Sequence, residues 1–219
     1  MRICFVSGQT LSNVLENYAD AKADLFLFGF NGGKEISYEA ELQGKSNYFE
    51  KVAVLSKQTK SVVVSGCVTD ARGLKRNSAL IAENGRLKGV SDMLHVIDET
   101  LCSGAALRVY ETKIGKMGVA VADDLRFPDV VKSLVDCGSD FIVCPYKKME
   151  KDLQAVLVRA NAYFYGTPIF FCASGYAMIA NPQGEVFFSS TEKVCFSEFE
   201  NKTEYHLVQI RRKGYYSKS

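Results

Sequence analysis

No two of the chain's cysteines are spaced as C-x-x-C. The seven (Cys4, Cys67, Cys102, Cys137, Cys144, Cys172 and Cys195) are scattered and odd in number, which argues against a disulfide framework and against a zinc site. There is no P-loop and no G-x-G-x-x-G, so the usual nucleotide-binding readings fall away. A G-x-S-x-G elbow is also missing. Only two histidines occur, His95 and His206; each stands in an apolar stretch and reads as a packed or surface residue. Charge of one sign is lacking too. With 27 basic and 25 acidic residues the formal net charge is +2, which gives no reason to expect a nucleic-acid or membrane-surface partner. The one basic cluster, Arg211-Arg212-Lys213, reads as a solvated tail. The apolar run at the N-terminus is too short for a signal-peptide core or a membrane span. Nothing in the pattern asks for a cofactor or metal. Free thiols inside apolar runs, such as Phe141-Ile142-Val143-Cys144, behave as small core residues and suit a reducing compartment, the cytoplasm.

What is present is a globular composition, 47% hydrophobic over 219 residues, read as one domain spanning residues 1–219. Residues 2–7 and 24–30 read as strands, with a helix over 11–22 between them. A longer helix is expected over 38–58, followed by a β-branched strand over 61–68 of the kind buried on both faces. Asn84-Gly85, between segments 77–83 and 86–91, predicts a hairpin. Strands follow at 107–112 and 116–121, a helix at 127–137 with Pro128 in its first turn, a strand at 141–144, and a helix at 149–165 ended by Gly166. Further strands are expected at 169–172, 176–180, 185–189 and 204–211. This order fits an α/β layered domain: two sheets face to face with helices outside, or a three-layer fold. Asp123-Asp124 follows a buried strand, and strand carboxyl ends are where α/β ligand sites lie. The simplest reading has Asp124 capping a helix start and pairing with Arg126.

One stretch is more specific. Gly118-Val119-Ala120-Val121-Ala122-Asp123-Asp124-Leu125-Arg126-Phe127-Pro128-Asp129 resembles the G-x-A-x-C-x-D-x-R-F-P-E signature of the nitrilase (carbon–nitrogen hydrolase) superfamily. Other blocks are similar in order and spacing. Asn77-Ser78-Ala79 with Asn84-Gly85 matches the family's N-S-A…D-G hairpin. Ser91-Asp92-Met93-Leu94-His95-Val96 stands at Y-R-K-x-H-L. Phe28-Gly29-Phe30 stands at F-P-E, Arg159-Ala160-Asn161-Ala162 at R-A-x-E/N, and Asn181-Pro182-Gln183-Gly184-Glu185-Val186 at D-P-x-G-E-V. The resemblance implies a four-layer α-β-β-α sandwich.

It also implies a site that has lost its chemistry. In the family a Glu acts as base, a Lys holds the oxyanion and a Cys attacks; here those positions fall on Phe30, Met93 and Ala122. None of the three can accept a proton, donate to an oxyanion or attack carbon. Once the thiol is gone, a buried Glu and Lys are a desolvated ion pair, and packed apolar groups in their place are often neutral or stabilising by about 1–4 kcal/mol. The expected function is therefore a catalytically inactive relative acting as a binding or assembly protein. The alternative is an amide or nitrile hydrolase with a relocated nucleophile, Cys144 or Cys172, each at the carboxyl end of an expected strand. A further family Glu corresponds to Glu99, and the loop over 98–104 is trimmed. The old pocket is expected either to collapse onto Phe30 and Met93 or to hold a small apolar ligand. Relatives commonly pair through the helices that correspond to 127–137 and 149–165, so a homodimer is expected, with Leu153, Val156, Leu157, Ala160, Tyr163 and Phe164 forming the apolar arc of the second helix.

Overall fold

Along Ile3-Cys4-Phe5-Val6 every residue is buried, and alternate side chains enter two different apolar clusters. Such a strand needs a packed layer on each face, and the same alternation recurs through both halves of the chain. The computed structural model describes residues 1–30, 35–150 and 152–200. Its strands are β1 (Arg2–Val6), β2 (Leu25–Phe28), β3 (Glu35–Ser37), β4 (Val62–Ala71), β5 (Leu74–Glu83), β6 (Arg86–Asp92), β7 (Val109–Thr112), β8 (Gly115–Val119), β9 (Phe141–Lys148), β10 (Ile169–Ser174), β11 (Tyr176–Ala180), β12 (Val186–Ser190) and β13 (Val194–Glu198). Its helices are α1 (Leu11–Asn17), α2 (Tyr38–Leu42), α3 (Tyr48–Gln58), α4 (Pro128–Asp136) and α5 (Leu153–Tyr165), with a 3-10 segment at Ala122–Arg126.

One sheet runs β13-β1-β2-β4-β5-β6, with β3 also paired to β4; the other runs β12-β11-β10-β9-β8-β7. Each has a parallel centre, β1-β2-β4 in the first and β8-β9-β10 in the second, flanked by antiparallel strands. Three apolar clusters divide the molecule into four layers. Val14, Val52 and Leu55 of α1 and α3 cover the outer face of the first sheet through Cys4, Phe26 and Val63. Ile3, Leu27, Val64 and Ile81 meet Val119, Val143, Phe170 and Ile179 between the sheets. Val131, Leu134 and Val158 of α4 and α5 cover Ile142, Cys144 and Phe171 outside the second sheet. The α-β-β-α sandwich is the expected one of the two layered arrangements.

Local departures have physical causes. The helix expected over 38–58 is two, because the chain passes through Gly44 at φ +69° and restarts with Glu41 accepting the N–H groups of Tyr48 (2.8 Å) and Phe49 (3.1 Å); a carboxylate there satisfies orphan donors of the new first turn. The Asn84-Gly85 hairpin is present, both residues at positive φ, as a tight primed turn requires. A second hairpin turns at Arg72 and Gly73, also both at positive φ, and was not expected. Neither was β13, nor the short β3. The strand expected over 204–211 lies outside the described residues.

Candidate functional site

The chain leaving β2, β6 and β8 stays buried in the layer between the sheets. Phe30 follows β2, Met93 follows β6 and Ala122 follows β8. They are 8%, 1% and 2% exposed, and all three belong to the apolar cluster between the sheets. The Phe30 N–H donates to the Tyr146 carbonyl at 3.1 Å, which ties the end of β2 to β9 across the sandwich. Its ring lies against Gly66 of β4: a Cβ at residue 66 would stand 2.6 Å from the ring. Glycine there makes room for the phenyl group. Gly29 is similarly confined, since a Cβ would meet the backbone of Cys172, Ala173 and Tyr146 at 3.0–3.1 Å.

Ala122 has φ +48°, in the left-handed region that costs an L-residue roughly 1–2 kcal/mol. Strain of this kind persists when the surroundings over-determine it, and it clusters at functional sites. The turn is held from several sides. The Ala120 N–H donates to the Val143 carbonyl and the Asp124 N–H to the Val121 carbonyl. The Asn161 side-chain amide on α5 donates to the Leu125 carbonyl at 3.1 Å. Arg159, two residues earlier on α5, donates from Nε to the Gly184 carbonyl at 2.8 Å. The sequence blocks around Ala122, Arg159-Ala160-Asn161 and Pro182-Gln183-Gly184 are thus bonded to one another.

The pairing expected of Asp124 is made by its neighbour Asp123, and the expected helix cap is absent. Arg126 pairs with Asp123 (Nε to Oδ1, 2.9 Å), not with Asp124, and its other arm reaches Glu150 at 2.9 Å. The Tyr146 hydroxyl also donates to Asp123 at 2.6 Å; burial, then this hydrogen bond, pushes its pKa up to about 12. Asp124 is fully buried and caps nothing in its own helix. Its carboxylate accepts the backbone N–H groups of Leu94 (2.9 and 3.1 Å) and His95 (2.9 Å). It therefore staples the segment after Met93 to the turn at Ala122. Burial raises its pKa to about 6, against the pull of the His95 and Leu94 N–H groups. The His95 ring stacks on Phe127 at 4.2 Å, with Nε2 3.4 Å from Asp129, too poorly aligned to count as a hydrogen bond.

The two cysteines differ in placement. Cys144 points to the outer cluster under α4 and α5, the opposite face of the sheet from Ala122. Cys172 lies in the inter-sheet cluster, with Sγ donating to the Val6 carbonyl at 3.4 Å. Burial raises both thiols well above their ordinary value, so neither carries thiolate near neutral pH. Glu99 is exposed. Among the described residues no group of His, Cys, Asp and Glu is placed to hold a metal ion, and no helix is long and apolar enough to cross a membrane.

The sheet order and the four layers match one kind of protein. The carbon–nitrogen hydrolase family model covers residues 22–200. This chain belongs to the carbon–nitrogen hydrolase family. A probable nitrilase of Schizosaccharomyces pombe is 27% identical over 89% of the chain and 78% of its own length. A hydrolase of the same yeast is 21% identical over 78% of the chain and 62% of its length; the chain thus spans under two thirds of that relative. The fold is that of the nitrilase superfamily: Saccharomyces cerevisiae Nit3, a member of its branch 10, superposes with a TM-score of 0.77 at 17% identity, covering 100% of this chain and 96% of Nit3. An amidase from Nesterenkonia sp. superposes at 0.74 and 15% identity, covering 97% and 94%. Another crystal structure of a Nesterenkonia amidase shows acrylamide added at its active-site cysteine.

Proposed function

We propose that this single-domain member of the carbon–nitrogen hydrolase family does not hydrolyse carbon–nitrogen bonds by the family's route and acts instead as a binding or assembly protein. The observation that carries the reading is the turn at residue 122. Its left-handed backbone supports assigning the nucleophile position to a residue that is alanine, while the base and oxyanion positions are assigned to the buried Phe30 and Met93. A cysteine thiolate and a fixed donor are what acyl transfer needs, and three apolar side chains supply neither. A relocated nucleophile gains nothing from Cys144, which faces away, or from Cys172, whose thiol is held protonated against the Val6 carbonyl. The free thiols suit a reducing compartment, and we assign the protein to the cytoplasm. The test is ammonia release from short aliphatic amides and nitriles. The expected rate is that of buffer alone; turnover that co-purifies with the protein contradicts the reading.

Assembly has its own support. Leu153, Val156, Tyr163 and Phe164 of α5 are 43%, 56%, 48% and 62% exposed, while Leu157 and Ala160 are half-buried. Spacings of three, ten and eleven from Leu153 put the exposed four on one stripe. Beyond Pro128 the exposed positions of α4 are polar, Lys132, Ser133 and Asp136 among them, so α5 carries the apolar contact. Burial of such a stripe against a twofold copy gives a homodimer. Light scattering at tens of micromolar is expected to give the dimer mass, and Val156→Asp with Phe164→Asp the monomer mass. A monomeric wild-type protein contradicts this.

A further inference from the structure

The sequence holds two Asn-Gly pairs, Asn31-Gly32 and Asn84-Gly85. Asn-Gly is the dipeptide most prone to ring closure between the asparagine carboxamide and the next backbone nitrogen, because glycine has no side chain to crowd that approach. Asn31 lies outside the described residues. Asn84 is exposed at the tip of the β5–β6 hairpin, where Glu83 pairs with Arg86 across the two-residue turn. The nitrogen that would react is already engaged there. The Gly85 N–H donates to the Ser56 hydroxyl on α3 at 3.0 Å, and that hydroxyl donates in turn to the Ala53 carbonyl at 2.7 Å. Ser56 is fully buried, where a hydrogen bond is stronger than in water. The backbone of the turn is fixed as well. Both residues have positive φ, +53° and +78°, and Lys57 lies against Gly85, where a Cβ would stand 3.2 Å from its side chain. Ring closure requires the Gly85 N–H to be released and the Asn84 backbone to turn out of this conformation.

We propose that Asn84 is a latent site of spontaneous deamidation, held shut in the folded protein by the Ser56 hydroxyl on the Gly85 N–H. The Gly85 nitrogen bonds to the side-chain carbonyl carbon of Asn84, and the carbon–nitrogen bond of the carboxamide breaks. The proton of the Gly85 nitrogen passes by way of solvent to the departing nitrogen, which leaves as ammonia. Water then opens the cyclic imide at either carbonyl, giving aspartate or isoaspartate. Nothing is required of the site at residue 122. The consequence reaches beyond the turn. Glu83, the preceding residue, is buried; it accepts the Lys113 N–H at 2.8 Å and the Lys88 ammonium at 2.9 Å, and Lys88 also reaches the Glu111 carbonyl. These bonds join the β5–β6 hairpin of one sheet to the β7–β8 hairpin of the other. Isoaspartate adds a methylene to the main chain immediately after Glu83 and sets a second negative charge beside it, so conversion loosens that joint.

The test is prolonged incubation of full-length wild type and Ser56→Ala at mildly alkaline pH, followed by mass spectrometry of the tryptic peptide 77–86. Fragmentation separates Asn84 from Asn77 in that peptide, and enzymatic methylation reports isoaspartate. The reference is a synthetic peptide of residues 77–86 under the same conditions, which lacks the clamp. Wild type is expected to convert at least about tenfold more slowly than the peptide, and Ser56→Ala about two- to tenfold faster than wild type, the factor that one neutral hydrogen bond is worth. Ser56→Cys, a weaker acceptor of similar size, gives the same reading if the alanine variant does not fold. In converted protein the Lys113 N–H is expected to exchange with solvent faster. The proposal is overturned if folded wild type converts as fast as the peptide, or if a folded Ser56 variant converts no faster than wild type. Unchanged exchange at Lys113 in converted protein overturns the link to the joint between the sheets.

Discussion

Phe30→Ala is expected to destabilise the protein by about 3–5 kcal/mol, the range for truncating a buried phenyl group in a packed core. The ring is 8% exposed and sits in the largest shared layer of the molecule, between the sheets. Gly66 leaves a surface shaped to it, since even a methyl group there would overlap the ring. Surrounding strands cannot close over the void, because the backbones of Gly29, Cys172 and Tyr146 are already in contact. For a chain of this length each kcal/mol moves the melting midpoint by roughly 2–4 °C, so a drop of about 10 °C is the expected reading by calorimetry. A midpoint within a degree or two of wild type would mean that residue 30 borders an open site rather than filling it.

The second large effect is a pH dependence centred on Asp124. Its pKa in the folded protein is about 6, raised from 3.8 mainly by burial. A carboxyl group that holds its proton more tightly when folded favours the native state at low pH. Its contribution is complete below about pH 4 and is lost as pH rises through 6. The gap corresponds to roughly 3 kcal/mol as an upper bound. Asp124→Asn keeps an oxygen for the Leu94 and His95 N–H groups and removes the titration. The stability difference, wild type minus variant, is therefore expected to grow in favour of wild type from pH 7.5 to pH 5, by urea denaturation. A difference that is flat, or that grows as pH rises, contradicts the assignment.

The strands were legible in the sequence because their side chains are buried on both faces. Ile3 to Val6, Leu25 to Phe28 and Ile142 to Cys144 are continuous apolar runs, and only strands between two layers need that pattern. β13 was not legible. Its residues alternate between buried and half-buried at the edge of a sheet, and Ser197 and Glu198 hide the pattern. The helix break at Gly44 was obscured by a helix-compatible sequence on both sides; what ends the first helix is a backbone conformation, and what starts the second is a capping carboxylate seven residues upstream of Tyr48.

Residues 30, 93 and 122, assigned from sequence spacing, are all buried in the cluster between the sheets. Their surroundings were less visible. Alanine gives no sign of a left-handed φ, so the strain at residue 122 follows only from the backbone. Asp123 and Asp124 are adjacent and identical in type, and only burial separates the one that meets Arg126 from the one that holds Leu94 and His95. Cys144 and Cys172 were both expected at strand ends, but they lie within β9 and β10, and strand parity sends them to opposite faces of the second sheet. Gly66 read as one more residue of an apolar strand, and its role depends on a ring that arrives from a neighbouring strand's end.

The central claim is that the site does not hydrolyse carbon–nitrogen bonds. It is tested most directly by measuring ammonia release from the same amide and nitrile panel with wild type and with the Cys144→Ala, Cys172→Ala double variant at equal concentration. The account predicts two rates that coincide with the protein-free blank. Turnover by wild type that the double variant lacks would establish a relocated nucleophile, and turnover shared by both would establish hydrolysis by another route; either result contradicts the account.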